Sequence, residues 1–285
     1  MTNTLQQFWR GRTAAFGTMH QKEAVVSPIL EQQLGLHIRV PEGFNSDQFG
    51  TFTRDITRTG NQLETARLKA RAAMATTGLD IGIASEGSFA PHPELPFILS
   101  NLEIVVLLDD TQQLEIIGHA RASAQVNGQA VSSAAEAVAL ASSWGFPHIG
   151  VILRQGKDNP RHIYKELTNQ AQLEQTAQTL LKKFLVSSIY LETDLRAHRN
   201  PERRETITLA TQDLAKNCQS QCPACHAPGF VVCEVKRGLP CSGCGTPTEL
   251  ARTLVSQCQK CQHQEEKAAS IAVTADPGHC LVCNP

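Results

Sequence analysis

Apolar positions along the chain change period several times, and each change marks an element. Leu63, Ala66, Ala70, Ala73 and Met74 recur at helical spacing. Asn61 stands where a helix cap belongs, Glu64 completes a capping box, and Gly78 supplies a left-handed stop. Leu79, Ile81 and Ile83 then alternate as a strand does and lead into an acidic loop, Ser85-Glu86-Gly87. Upstream, Ala14–Thr18 reads as a short buried strand, with Lys22 just past the following turn. Ser27-Pro28 reads as the cap and first turn of a helix reaching Leu34 and stopped by Gly35. A helix beginning at Lys22 would be kinked near Pro28. Leu36–Val40 is a further candidate strand.

Downstream, Pro91, Pro93 and Pro96 impose an extended loop. Leu102–Leu108 and Leu114–Ile117 carry a hairpin pattern around Asp109–Gln113. Ser132–Ser143 is an Ala-rich helix, Ile149–Leu153 a strand, and Leu167–Leu181 a polar amphipathic helix. Asn200 and Pro201 cap and open a last helix. Strands alternating with helices over residues 1–217 predict α/β architecture. The hairpin predicts a mixed central sheet, flanked by helices.

Cysteine changes this picture. None of the ten lies in residues 1–217; all fall in residues 218–285. Eight form four Cys-x-x-Cys knuckles: Cys222/Cys225, Cys241/Cys244, Cys258/Cys261 and Cys280/Cys283. Fifteen residues separate the first two knuckles and eighteen the last two. Both spacings match four-thiolate zinc sites, so a small zinc-ribbon domain with two structural zinc ions is predicted at 218–285. Sequential and interleaved pairings of the knuckles both satisfy the spacing. Cys218 and Cys233 are left without a metal role. A tail of 68 residues with few large apolar side chains needs such ions to fold.

Charge is nearly balanced, 26 Lys+Arg against 27 Asp+Glu, so net charge supplies no field for nucleic acid or membrane. The start, MTNTLQQFWR, lacks the apolar core of a signal peptide, and the longest aliphatic run, Ile104–Leu108, cannot span a bilayer. A cytoplasmic protein is expected.

Candidate chemistry gathers at three places. Glu86, at the carboxyl end of its strand and followed by Gly87, suits a divalent cation that carries a phosphate. Lys22, at a strand–turn–helix joint, can hold a phosphate, although an exposed lysine at a helix start fits the same pattern. Asp47, Arg54, Asp55 and Arg58 line either a cleft or a solvated loop. Asp194, Arg196, His198 and Arg199 precede the last helix, where a His-Arg pair recognises an anionic or carbonyl-bearing ligand or else makes surface ion pairs.

With these residues in hand, positions 1–217 resemble the inosine/xanthosine triphosphate pyrophosphatase superfamily, whose members remove non-standard nucleotides from the pool. GTMHQKEAV (residues 17–25) looks like that family's opening Thr-x-Asn-x-x-Lys turn, one residue shorter before Lys22 and with His20 near the Asn position. TGNQLETARLKARAAMATTG looks like its Glu-Glu-Asn-Ala-x-x-Lys-Ala helix. IGIASEGSF looks like its acidic loop, with Glu86 in the magnesium-holding role. AHRNPERRETITLATQDL is similar to its late Ser-His-Arg helix, with Ala197 in place of the Ser. The zinc tail lies outside that superfamily. The whole chain, with SEGSF, TDLRAHRNP and the Cys-rich end, also resembles an uncharacterised bacterial family.

The resemblance implies a two-lobed fold and a magnesium-dependent nucleoside triphosphate pyrophosphatase, a hydrolase acting on acid anhydrides. Glu86, with Asp47 or Glu64, would hold the metal, Asp47 being favoured. Lys22 and Lys69 would neutralise phosphate charge, although Lys69 lies off the apolar face of its helix and also reads as an exposed lysine. Thr18, His20, Arg54 and Arg58 would join the substrate-binding set, and His198 and Arg199 would read the base. The competing expectation is a nucleotide-sensing protein without catalysis, whose ribbons dock a protein or nucleic acid. Expected partners are the nucleotide, a second copy in a homodimer, and whatever the ribbons bind; a membrane is not among them.

Overall fold

The computed structural model describes residues 8–19, 21–49, 60–157, 159 and 162–285. The chain divides into two compact units, one of Trp9–Ala215 and one holding Lys216–Pro285.

In the first unit, β1 (Thr13–Gly17) leads through α1 (Glu23–Leu34) to β2 (His37–Arg39). A 3-10 turn (Ser46–Phe49) and α2 (Gln62–Thr77) precede three long strands, β3 (Ile81–Pro91), β4 (Leu99–Asp109) and β5 (Leu114–Ser123). These five strands form a mixed sheet in the order β2-β1-β3-β4-β5. β1 runs parallel to β2 and β3, while β3, β4 and β5 are successively antiparallel. The α/β class and the mixed sheet are those the residue pattern predicts.

α2 forms where its local signals place it. The Asn61 side chain accepts from the Glu64 amide, Glu64 reaches back to the Asn61 amide, and Gly78 closes the helix in the left-handed region. Ala66, Ala70 and Met74 pack against Ala84, Ile104, Val106 and Leu108 of the sheet, and Leu63 borders that cluster.

Two expectations are corrected. α1 begins at Glu23 and carries Pro28 within it, so Ser27 is not its cap. Proline there forfeits one backbone bond, and burial of Val26, Leu30 and Leu34 offsets the loss. The predicted acidic loop is the middle of β3, because β4 pairs with β3 along its full length, from Ile81↔Asp109 to Pro91↔Leu99. Ser85, Glu86 and Ser88 interrupt the apolar alternation, but the backbone ladder does not need it.

The remainder of this unit is β6 (Gly128–Val131), α3 (Ala134–Ser143), β7 (Val151–Arg154), β8 (Ile163–Tyr164), α4 (Gln170–Phe184) and β9 (Ile189–Thr193). The strands form a second, antiparallel sheet in the order β6-β9-β7-β8. Val131, Ala137, Val151, Leu153, Leu173, Leu180 and Leu191 make its core with α3 and α4. α5 (Pro201–Cys218) then returns to the mixed sheet. It lies so close to β5 that a Cβ on Gly118 would stand 2.1 Å from the Leu214 nitrogen.

The second unit is a meander of β10 (Val231–Arg237), β11 (Ala251–Gln257) and β12 (Gln264–Ala268). Among its described residues, the buried apolar side chains besides cysteine are Pro228, Leu239, Val255 and Ala275. No described helix is long and apolar enough to cross a membrane.

Candidate functional site

β1 stops at Gly17, opposite Ala84 of β3. Lys22, at the start of α1, takes over the next carbonyl. Its Nζ donates to the Ser85 oxygen at 3.3 Å and to Ser85 Oγ at 3.1 Å. α2 brings Lys69 to the same stretch of β3, where Nζ lies 2.7 Å from Glu86 Oε2. Lys69 is buried, as are Lys22 and Glu86, so the alternative of an exposed lysine does not apply at either position.

A second buried ion pair lies on the other face of the same strands. Arg203 of α5 donates through Nε to Glu103 Oε1 of β4 at 2.7 Å, and through Nη1 to the Leu195 carbonyl at 2.7 Å. Asn101 Nδ2 also donates to Glu103 Oε1. Paired positions in an antiparallel ladder share a face. Glu86 is paired with Ile104, and Gly87 with Glu103, so the two carboxylates leave opposite faces of the sheet. The Glu103 carboxylate lies over Gly87, where a Cβ would stand 2.1 Å from Oε1 and would push it aside.

Lys22 feels both pairs. Burial pushes its ammonium down to about 7, helped by Arg203 and Lys69 and opposed by Glu103 and Glu86. Of the expected set, Lys22 and Lys69 therefore reach the Ser85–Glu86 stretch of β3, and Glu103–Arg203, on the other face, acts on Lys22 as well. Both members of that pair left a trace in the sequence. Glu103 is a lone acid beside the aliphatic run of β4. Arg203 falls on the helical stripe of the buried Ile207, Ala210 and Leu214.

His198 and Arg199 have other partners. His198 Nε2 lies 3.3 Å from Glu166 Oε1, and Arg199 Nη2 donates to the Leu167 carbonyl. The Thr18 hydroxyl donates to the neighbouring Met19 carbonyl. Glu64 serves the α2 cap. His20, Arg54 and Arg58 lie outside the described residues, as does the side chain of Asp47.

In the second unit, eight cysteines gather into two groups of four, Cys222, Cys225, Cys258 and Cys261, and Cys241, Cys244, Cys280 and Cys283. The pairing is interleaved, first knuckle with third and second with fourth. The meander dictates it. Val231 and Gln264 both pair with Gln257, which puts the knuckle before β10 beside the one after β11. The other two knuckles follow β10 and β12, at the opposite end of the sheet. The Sγ–Sγ separations are 3.6 Å for Cys222–Cys261 and Cys225–Cys258, 3.8 Å for Cys241–Cys283 and 3.6 Å for Cys244–Cys280. Sulfurs about 2.3 Å from a tetrahedral zinc ion stand about 3.8 Å apart. The groups thus fit zinc, with room for one ion each.

Knuckle geometry agrees. His226, Gly245 and Gln262, each just after a second cysteine, are left-handed at φ 61°, 74° and 60°. Amides of Gly243 and Lys260 point at the sulfurs of Cys241 and Cys258. Cys218 is buried, which pushes its thiol up, and Cys233 donates to the Val255 carbonyl; neither joins a cluster.

Residues 69–285 match the family model described as a domain of unknown function (DUF6671). The matched stretch opens at Lys69 and takes in Glu86, Glu103, Arg203 and all eight clustered cysteines. Comparison with curated proteins returns no match.

Proposed function

We propose that this chain, which belongs to the DUF6671 family, hydrolyses a non-standard nucleoside triphosphate or a related phosphorylated nucleotide at the Lys22–Lys69–Glu86 cluster. The burial of Lys22 on Ser85 and of Lys69 on Glu86, neighbours in β3, is the observation that carries the reading. The two-lobed pyrophosphatase likeness rests on the sequence patches that contain them; the family match itself names no chemistry.

Lys22 has three N–H donors and spends two on Ser85, so one remains for a phosphate oxygen. Lys69 holds Glu86 and keeps donors for a second oxygen. In a buried site each such contact is stronger than in water, and it counts most where charge builds in the transition state. Among the described residues no cluster of three carboxylate or imidazole ligands surrounds Glu86. A magnesium ion would take Glu86, substrate oxygens and water, as magnesium does at phosphate sites. When bound, it would polarise the phosphorus and acidify water. The zinc unit would stabilise its own fold, since closed four-thiolate sites keep no open position.

Inosine triphosphate with magnesium is the first substrate to try, read by pyrophosphate release. Turnover abolished by Glu86→Gln in a folded protein supports the proposal. Tight nucleotide binding without turnover would replace the hydrolase with a nucleotide-sensing protein, and no binding across a nucleotide panel would end both.

The lysine adds a pH signature. An anion on Lys22 keeps it protonated, whereas the free site loses that proton as pH rises through about 7. Affinity for inorganic tripolyphosphate is therefore expected to be greatest below pH 7 and to weaken above it, by up to about tenfold per pH unit. Lys22→Met should flatten the profile in titration calorimetry. An unchanged slope in that variant would remove Lys22 from the site.

A further inference from the structure

The end of β9 carries a second charged assembly, outside the Lys22–Lys69–Glu86 cluster. Asp194 is fully buried and grips Arg196 from behind, Nε to Oδ1 at 3.0 Å and Nη2 to Oδ2 at 2.6 Å. That fixes the guanidinium and leaves Nη1 directed at Glu166 Oε1, 2.5 Å away. His198 Nε2 approaches the same oxygen at 3.3 Å, and because a carboxylate only accepts, the imidazole nitrogen is the donor. Two donors on one oxygen is how a protein holds an oxyanion.

The two sides of this contact are unequal. The side chains of Arg196 and His198 are 10% and 14% exposed, whereas that of Glu166 is 57% exposed. The receptor is built into the fold and its occupant hangs from a surface loop. Ion pairs with an exposed carboxylate are weak, so little holds Glu166 against a competitor. With Glu166 set aside, Arg196 and the neighbouring Arg199 outnumber Asp194, and the seat favours an anion.

We propose that Arg196 and His198 form a binding seat for a small oxyanion, a carboxylate or a phosphate group, and that Glu166 is its displaceable internal occupant. The seat requires no turnover and stands or falls apart from the hydrolase. A tethered carboxylate competes at high effective concentration, so it masks the intrinsic affinity of the seat.

Glu166→Ala removes the occupant without touching Arg196 or Asp194. Inorganic phosphate and acetate are titrated by calorimetry into the wild type, Glu166→Ala, and the double variant Glu166→Ala/His198→Ala. Removing Glu166 is expected to tighten binding of at least one anion by about tenfold or more, and the double variant to lose that gain. Tightening confined to phosphate assigns a phosphate-bearing ligand, and tightening confined to acetate a carboxylate. Unchanged affinity in Glu166→Ala, or a gain that survives His198→Ala, would overturn the proposal. If Glu166→Ala does not fold, Glu166 is a structural latch and the seat is refuted, unless folded Glu166→Gln shows the same gain.

Discussion

Purified protein is expected to carry two zinc ions, and stripping them is expected to unfold the C-terminal unit. The reason lies in what that unit has for a core. Among its described residues the buried apolar side chains are Pro228, Leu239, Val255 and Ala275, together with Cys218 and four members of the two cysteine groups, Cys222, Cys241, Cys258 and Cys280. So few side chains of that size cannot offset the ordering entropy of the 70 residues Lys216–Pro285. Structural zinc supplies roughly 10–16 kcal/mol in comparable small units, the largest single contribution available here. Chelation under reducing conditions should therefore abolish the β10–β12 amide protection. Metal analysis should return two ions per chain before treatment.

The interleaved pairing makes a sharper version. In Cys222→Ser/Cys225→Ser one ion is lost, and the thiols released to alkylation should be Cys258 and Cys261. Cys241, Cys244, Cys280 and Cys283 should stay protected by the second ion. Alkylation of Cys241 and Cys244 instead would mean sequential pairing and would contradict the meander.

That pairing shows where sequence reading stops. Four knuckles and their spacings are local facts, legible at once. Which knuckles meet depends on strand reversals at β10–β11 and β11–β12, and β10 and β12 are almost wholly exposed, with no buried face to fix their register. The same division runs through the first unit. The α2 cap, its stop and its buried face follow from residues within one or two turns. Glu86 looked like loop because its neighbours are Ser and Gly, yet a partner strand decides its conformation. Lys69 looked solvated because an amphipathic helix puts lysine outside, yet Glu86 awaits it across the interface. The strands of the second sheet are two to five residues long and too short to show a period. Arg203 is the instructive omission. It occupies an apolar stripe position, and a charge in such a place implies a buried partner.

That partner leads to the second large effect. Arg203→Met is expected to destabilise the first unit by roughly 3–5 kcal/mol, because it strands Glu103 as an unpaired charge in a fully buried position. Methionine fills much of the space, so the loss is electrostatic rather than a cavity. Lys22 feels the Glu103 charge, but two of its donors are on Ser85 and burial holds its ammonium down, so it does not replace the Arg203 pairing. The control is Glu103→Gln/Arg203→Met. With both charges gone, the burial penalty disappears with the pairing, and double replacements of this type are often near neutral. Urea denaturation of the four species closes a double-mutant cycle. A coupling of several kcal/mol places the pair at the centre of the fold's polar core, since residues in one network fail additivity in this way. Equal, additive losses would mean that the two side chains act independently, and the buried cluster around Lys22 would then need another explanation.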